Sequence, residues 1–118
     1  MTEAPVTGPA EPTPPIALAD GPTTGRLDAH RVEIDDTTLD RLRSACAAAS
    51  TDATTVAETS RDWWPLAMTW AVEGQVAGLA GVVVRPDDKF QVPDVLRICN
   101  EAGIPVTAAA GRSGVCGS

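Results

Sequence analysis

Apolar residues recur at helical spacing in two stretches of the chain and run without interruption in a third. Across residues 37–49, Leu39, Leu42, Ala45, Cys46 and Ala49 return every three or four positions, which predicts a helix with one buried stripe. Thr37 with Asp40 three residues on resembles a capping box. A shorter helix is expected over 53–59, with Thr55 and Glu58 as a second cap pair. Between 87 and 102, Val92, Val95, Leu96, Cys99 and Ala102 mark one face of a third helix, opened by Asp88 and Gln91. Pro93 is discordant, because a missing N–H at that position implies a late start or a bend. Gly103 stands where a glycine closes a helix.

Val82-Val83-Val84 is a β-branched run without polar alternation, the pattern of a strand covered on both faces, and Pro86 closes it. Ile104-Pro105-Val106-Thr107 resumes extended structure. Two extended runs joined by a helix predict a right-handed crossover with parallel strands. The fold class expected is therefore α+β, with this strand-helix-strand unit preceded by helices. The loop after Thr107 would then sit at the carboxyl end of a parallel strand, where ligands of such sheets bind.

Composition divides the chain further. Residues 1–25 interleave Pro9, Pro12, Pro14, Pro15 and Pro22 with Thr, Gly, Ala and Glu, and are expected to be a disordered leader. Residues 26–79 form a helical lead-in that ends in an irregular connector over 72–80, and 80–118 hold the crossover and its loop. A net charge of −7 opposes non-specific binding to nucleic acid or anionic lipid. No secretory pattern and no apolar run long enough for a membrane span is present, so a soluble, cytoplasmic protein is expected. Cys46, Cys99 and Cys116 lack the C-x-x-C spacing of a zinc or redox site, and His30 stands alone in a polar segment.

The chemistry expected of the chain lies in its closing loop, Ala108, Ala109, Ala110, Gly111, Arg112, Ser113 and Gly114, continued by Val115-Cys116-Gly117-Ser118. Its glycines permit positive φ and close backbone approach, Ser113 offers a hydroxyl and Arg112 a fixed positive charge, a combination suited to a pyrophosphate. The glycine spacing is neither a Rossmann fingerprint nor a P-loop, and a mobile Gly/Ala/Ser terminus is the competing reading.

The run Val82-Val83-Val84-Arg85-Pro86, then Val92, then Val95-Leu96-Arg97-Ile98-Cys99-Asn100-Glu101-Ala102-Gly103-Ile104-Pro105-Val106 and a small-residue loop, resembles the start of the FAD-binding domain of the vanillyl-alcohol oxidase family. These are the PCMH-type FAD-linked oxidases, which include glycolate and D-lactate dehydrogenases and alkyldihydroxyacetonephosphate synthase. The resemblance covers 81–117, and Ser60-Arg61-Asp62 looks like the serine-arginine-aspartate that often precedes this domain. It implies that residues 108–114 match the family's pyrophosphate loop, with Gly111 and Ser113 fitting and with Ala110 and Arg112 standing where glycine is usual. No histidine occupies the loop, so the FAD implied is non-covalent. Hydride transfer between a hydroxy-acid-type or alkyl-glycerone-phosphate-type substrate and flavin is the implied chemistry, with no residue of this chain as acid or base.

The family's later strands and cap domain have no counterpart here. The chain is thus expected to be an amino-terminal part of such an enzyme, with the remainder of the flavoenzyme or a partner chain as its partner, inactive and marginally folded alone. Trp63, Trp64 and Trp70 fall within eleven residues in a chain with no tyrosine and one phenylalanine. That concentration fits buried core, or a lining for a flavin or an acyl chain. The alternative function is a small non-enzymatic interaction module that docks a partner through Trp63, Trp64 and Trp70.

Overall fold

Asp35, rather than Thr37, opens the first helix. The computed structural model describes residues 16–27 and 30–117, and in it Asp35 Oδ1 accepts from Thr38 N–H at 2.8 Å while Oδ2 accepts from the Thr38 hydroxyl at 3.0 Å. An aspartate at this position satisfies N–H groups that the helix itself cannot. Helix α1 spans Asp36–Ala45 and stops there. The expected continuation to residue 49 is corrected: the chain extends and Ala48–Ser50 forms strand β2. Helix α2, Ala53–Thr59, has the expected bounds but a different cap, since Asp52 Oδ2 accepts from Thr55 N–H at 2.9 Å. Glu58, expected as a cap partner, instead faces Arg61.

Helix α3, Pro65–Ala71, begins with proline at its first position, where the absent N–H costs nothing. A parallel two-residue ladder joins β1, Thr24–Gly25, to β3, Gln75–Val76. The described part of the segment expected to be a leader through residue 25 engages the fold: Ala19 N–H donates to the Ala71 carbonyl at 2.9 Å, and Thr24 N–H to the Gly74 carbonyl at 3.1 Å. The Arg26 guanidinium also lies 5.4 Å from the Trp70 ring centre. Residues 1–15, the rest of that segment, lie outside the described residues.

Strand β4, Val83–Arg85, pairs antiparallel with β2 in the register Ala48 to Arg85, Ala49 to Val84 and Ser50 to Val83. Helix α4, Gln91–Glu101, carries Pro93 as its third residue, inside the first turn, so the proline removes no helix bond. Its start is a turn in which Asp88 Oδ1 accepts from Phe90 N–H at 2.8 Å. The end closes as expected. Gly103 adopts φ +67, its N–H reaches the Asn100 carbonyl at 3.2 Å, and Ile104 N–H reaches Cys99 at 2.8 Å. These are the paired bonds that cap a helix through a left-handed glycine.

Leu42, Cys46, Val95, Ile98 and Cys99 form the core between α1 and α4, with Ala45, Ala49, Val82, Val84 and Ile104 against it. Ile98 is thus an inward position of α4 that the spacing did not single out, and Val92 and Leu96, expected on the buried face, are exposed at 41% and 48%. Burial raises the Cys99 thiol above its ordinary pKa, consistent with a packed and unreactive side chain.

The parallel crossover is corrected. Ile104-Pro105-Val106-Thr107 forms no strand and does not pair with β4, whose ladder partner is β2. Two local causes act together. Ile104 is held by the helix cap and packs on the core, and Pro105 has no N–H to give a ladder. What holds is the coarser reading, a small α+β fold of four helices and two short sheets among the described residues.

Candidate functional site

The closing loop folds back onto Ser60-Arg61-Asp62, about fifty residues earlier in the chain, and this contact rather than a sheet edge positions it. Trp63 N–H donates to the Gly114 carbonyl at 2.9 Å, and Gly117 N–H donates to Asp62 Oδ2 at 3.0 Å. The Arg112 guanidinium donates to the Glu58 carbonyl. Asp62 is 6% exposed, and its Oδ1 accepts from Trp64 N–H at 2.9 Å, so one carboxylate ties the start of α3 to the loop. Its neighbour Arg61 pairs instead with Glu58, its Nη2 lying 2.9 Å from Oε2.

Within the loop, Ala108, Ala109 and Ala110 are exposed, Gly111 and Arg112 half-buried, and Ser113 and Gly114 exposed. Arg112 has φ 49, a left-handed conformation rare for a residue with a Cβ. The N–H groups of Ala108, Ala109, Ala110, Gly111 and Ser113 find no acceptor among the described residues. The loop is therefore held by the Arg112 side chain and by the backbone of Gly114 and Gly117, with open donors between Ala108 and Ser113, a donor set suited to a diphosphate.

The three tryptophans divide. Trp70 is buried at 7% exposure, Trp64 meets it edge to face with ring centres 5.4 Å apart, and Trp63 is 41% exposed. Trp64 also covers Gly117, so the cluster is a wall of the loop's seat as well as core. This role had a faint sequence signal in the adjacent Ser60-Arg61-Asp62, but nothing in the order of residues brings Gly117 to that wall.

A larger depression, about 610 Å³, lies between α1 and α4 and includes Asp40, Arg41, Asp94 and Arg97 in its lining. Its charges answer one another: Arg97 reaches Asp94 at 3.1 Å and Glu101 at 3.3 Å, Arg43 reaches Asp40 at 3.6 Å, and Arg41 pairs with Glu101. These are exposed surface pairs of small energetic weight, and they leave no group poised for chemistry. Among the described residues no group of three or more His, Cys, Asp or Glu could hold a metal ion, and no helix is long and apolar enough to cross a membrane. Set against protein-family models, curated proteins and solved structures, the chain matches none of them.

Proposed function

We propose that the chain binds FAD non-covalently through Ala108, Ala109, Ala110, Gly111, Arg112, Ser113 and Gly114, as the amino-terminal part of an FAD-linked oxidoreductase of the PCMH type. The observation that carries this reading is the set of unspent N–H donors at Ala108, Ala109, Ala110, Gly111 and Ser113, on a loop held in place by its flanks. Open backbone donors are what a pyrophosphate needs and a hydrocarbon does not. The resemblance over 81–117 supports the same ligand from the sequence side. The parallel crossover that placed this loop at a strand end in the sequence reading does not form, and the support left is the loop's own donors, held by Glu58, Asp62 and Trp63.

FAD, when bound, supplies hydride chemistry at its ring, and the residues of this chain contribute binding and orientation of the phosphates. Asp62 is a positioning residue in this scheme, acting through Gly117. Catalytic groups and the substrate pocket belong to the remainder of the flavoenzyme or to a partner chain.

The test is a titration of the full chain with FAD, ADP and riboflavin, followed by flavin fluorescence and by calorimetry. FAD and ADP, which carry a diphosphate, are expected to bind weakly and saturably, and riboflavin, which lacks it, is not. Ala110→Pro removes one open N–H from an exposed position and is expected to abolish binding without lowering stability. Equal binding of riboflavin, or no saturable binding of FAD and ADP, would refute the reading. A docking module is the second reading, favoured by Trp63 and Leu66 standing 41% and 42% exposed at the start of α3. Trp63→Ala would then abolish partner capture and leave FAD binding untouched.

A further inference from the structure

Arg61 is 5% exposed and its side chain is fully covered, yet only Nη2 has a partner: Glu58 Oε1 at 3.1 Å and Oε2 at 2.9 Å. Its Nε and Nη1 are buried with no acceptor. A buried donor without an acceptor loses its water and gains nothing in return, so such groups are rare unless something else fills the place. Arg61 also lines a cavity of about 200 Å³, together with Ser60, Asp62, Trp64, Gly78 and Gly117 among others.

The acceptor side chains at the cavity are already engaged by backbone N–H groups. Asp62 accepts from Trp64 and Gly117 N–H, and Ser60 Oγ accepts from Ala80 N–H at 3.0 Å. The unspent buried side-chain atoms there, Arg61 Nε and Nη1, are donors only, because a guanidinium has no lone pair to offer. The missing group must bring acceptors, and a planar guanidinium in a covered site is best matched by an oxyanion.

We propose that the cavity beside Arg61 is a binding site for a small oxyanion of the phosphate class, with Arg61 Nε and Nη1 as its principal donors. This goes beyond the flavin reading, since none of residues 108–114 lines the cavity. A net charge of −7 makes non-specific phosphate binding elsewhere on the surface a weak competitor.

The experiment is amide NMR of the full chain titrated with orthophosphate, pyrophosphate, acetate and chloride at matched ionic strength. Saturable shifts at Ser60, Gly78 and Gly117 are expected with the two phosphates and not with chloride. Arg61→Met should remove them, and Arg61→Lys, which keeps the charge and loses the planar donors, should weaken binding by about tenfold. Non-saturating shifts, shifts shared with chloride, tighter binding of acetate than of phosphate, or an Arg61→Lys affinity equal to the parent would each overturn the proposal. Should Arg61→Met fail to fold, the parent titration and Arg61→Lys decide it. Phosphate binding at Arg61 with no FAD binding by the parent would overturn the flavin reading alone, and Ala110→Pro should leave the phosphate shifts intact.

Discussion

Gly117 lies against the Trp64 indole so closely that a Cβ on it would come within 2.7 Å of ring atom Cε3. Its φ of +76 is one that a residue with a Cβ adopts only under strain. Gly117→Ala is therefore expected to undock the loop, at a local cost of about 1–3 kcal/mol. Tryptophan emission should shift to the red as Trp64 gains water, while Val95, Ile98 and Cys99 keep their protection from hydrogen exchange. An unchanged emission spectrum would show that the loop is not held by this contact.

Two glycines separate steric need from conformational need. At Gly103 a Cβ would meet nothing within 4 Å, and only the φ of +67 stands against it. At Gly81 a Cβ would fall 2.4 Å from the Val32 carbonyl oxygen and 2.9 Å from Ile34 Cγ1. Gly103→Ala should cost about 1 kcal/mol. Gly81→Ala forces the 32–34 backbone away from the connector into β4 and should cost clearly more, read as a lower urea midpoint. Equal midpoints for the two variants would contradict the close approach at Gly81.

Acid should unfold the chain through its helix caps. Asp35 is held below its ordinary pKa first by the Thr38 N–H and then by the Thr38 hydroxyl, and Asp52 likewise by Thr55. Glu101 is lowered by hydrogen bonds from Arg41 and then Arg97. In each case folding favours the ionised form, so the unfolded chain binds more protons between its own pKa and the folded one. The stabilisation is in full force above the ordinary carboxylate range and is lost as pH falls through the lowered values. The melting temperature is expected to stay level from pH 7 to about 5 and to fall below about 4. Asp35→Asn keeps a capping side chain and removes the titration, so the acid slope should flatten while stability at pH 7 changes little. A slope as steep as the parent's would remove Asp35 from the explanation.

Helix α2 was legible to the residue, and so was the stop at Gly103, because both depend on neighbours within a turn or two of chain. Helix α1 was overextended for an instructive reason. Ala49 continues the apolar spacing, yet it packs on the α1–α4 core from strand β2. Periodicity reports that a residue is buried, not which element carries it there. The same limit explains Ile98, which faces Leu42 and its neighbours while Leu96 stands in solvent. The candidate loop was legible as a glycine-rich donor set, but its seat on Asp62 and Trp64 was not, since no local rule links residues 62 and 117.

Local chemistry alone thus determined where α2 lies, where α4 ends, and that Val83 and Val84 form a strand. Partnership was decided in three dimensions. Val83 and Val84 offered the same ladder to Ser50 and Ala49 as to Val106, and the helix cap at Gly103 with Pro105 behind it left the first pairing as the one that forms. A strand's side chains state its preference for being covered, whereas its hydrogen bonds go to whichever backbone the rest of the packing delivers.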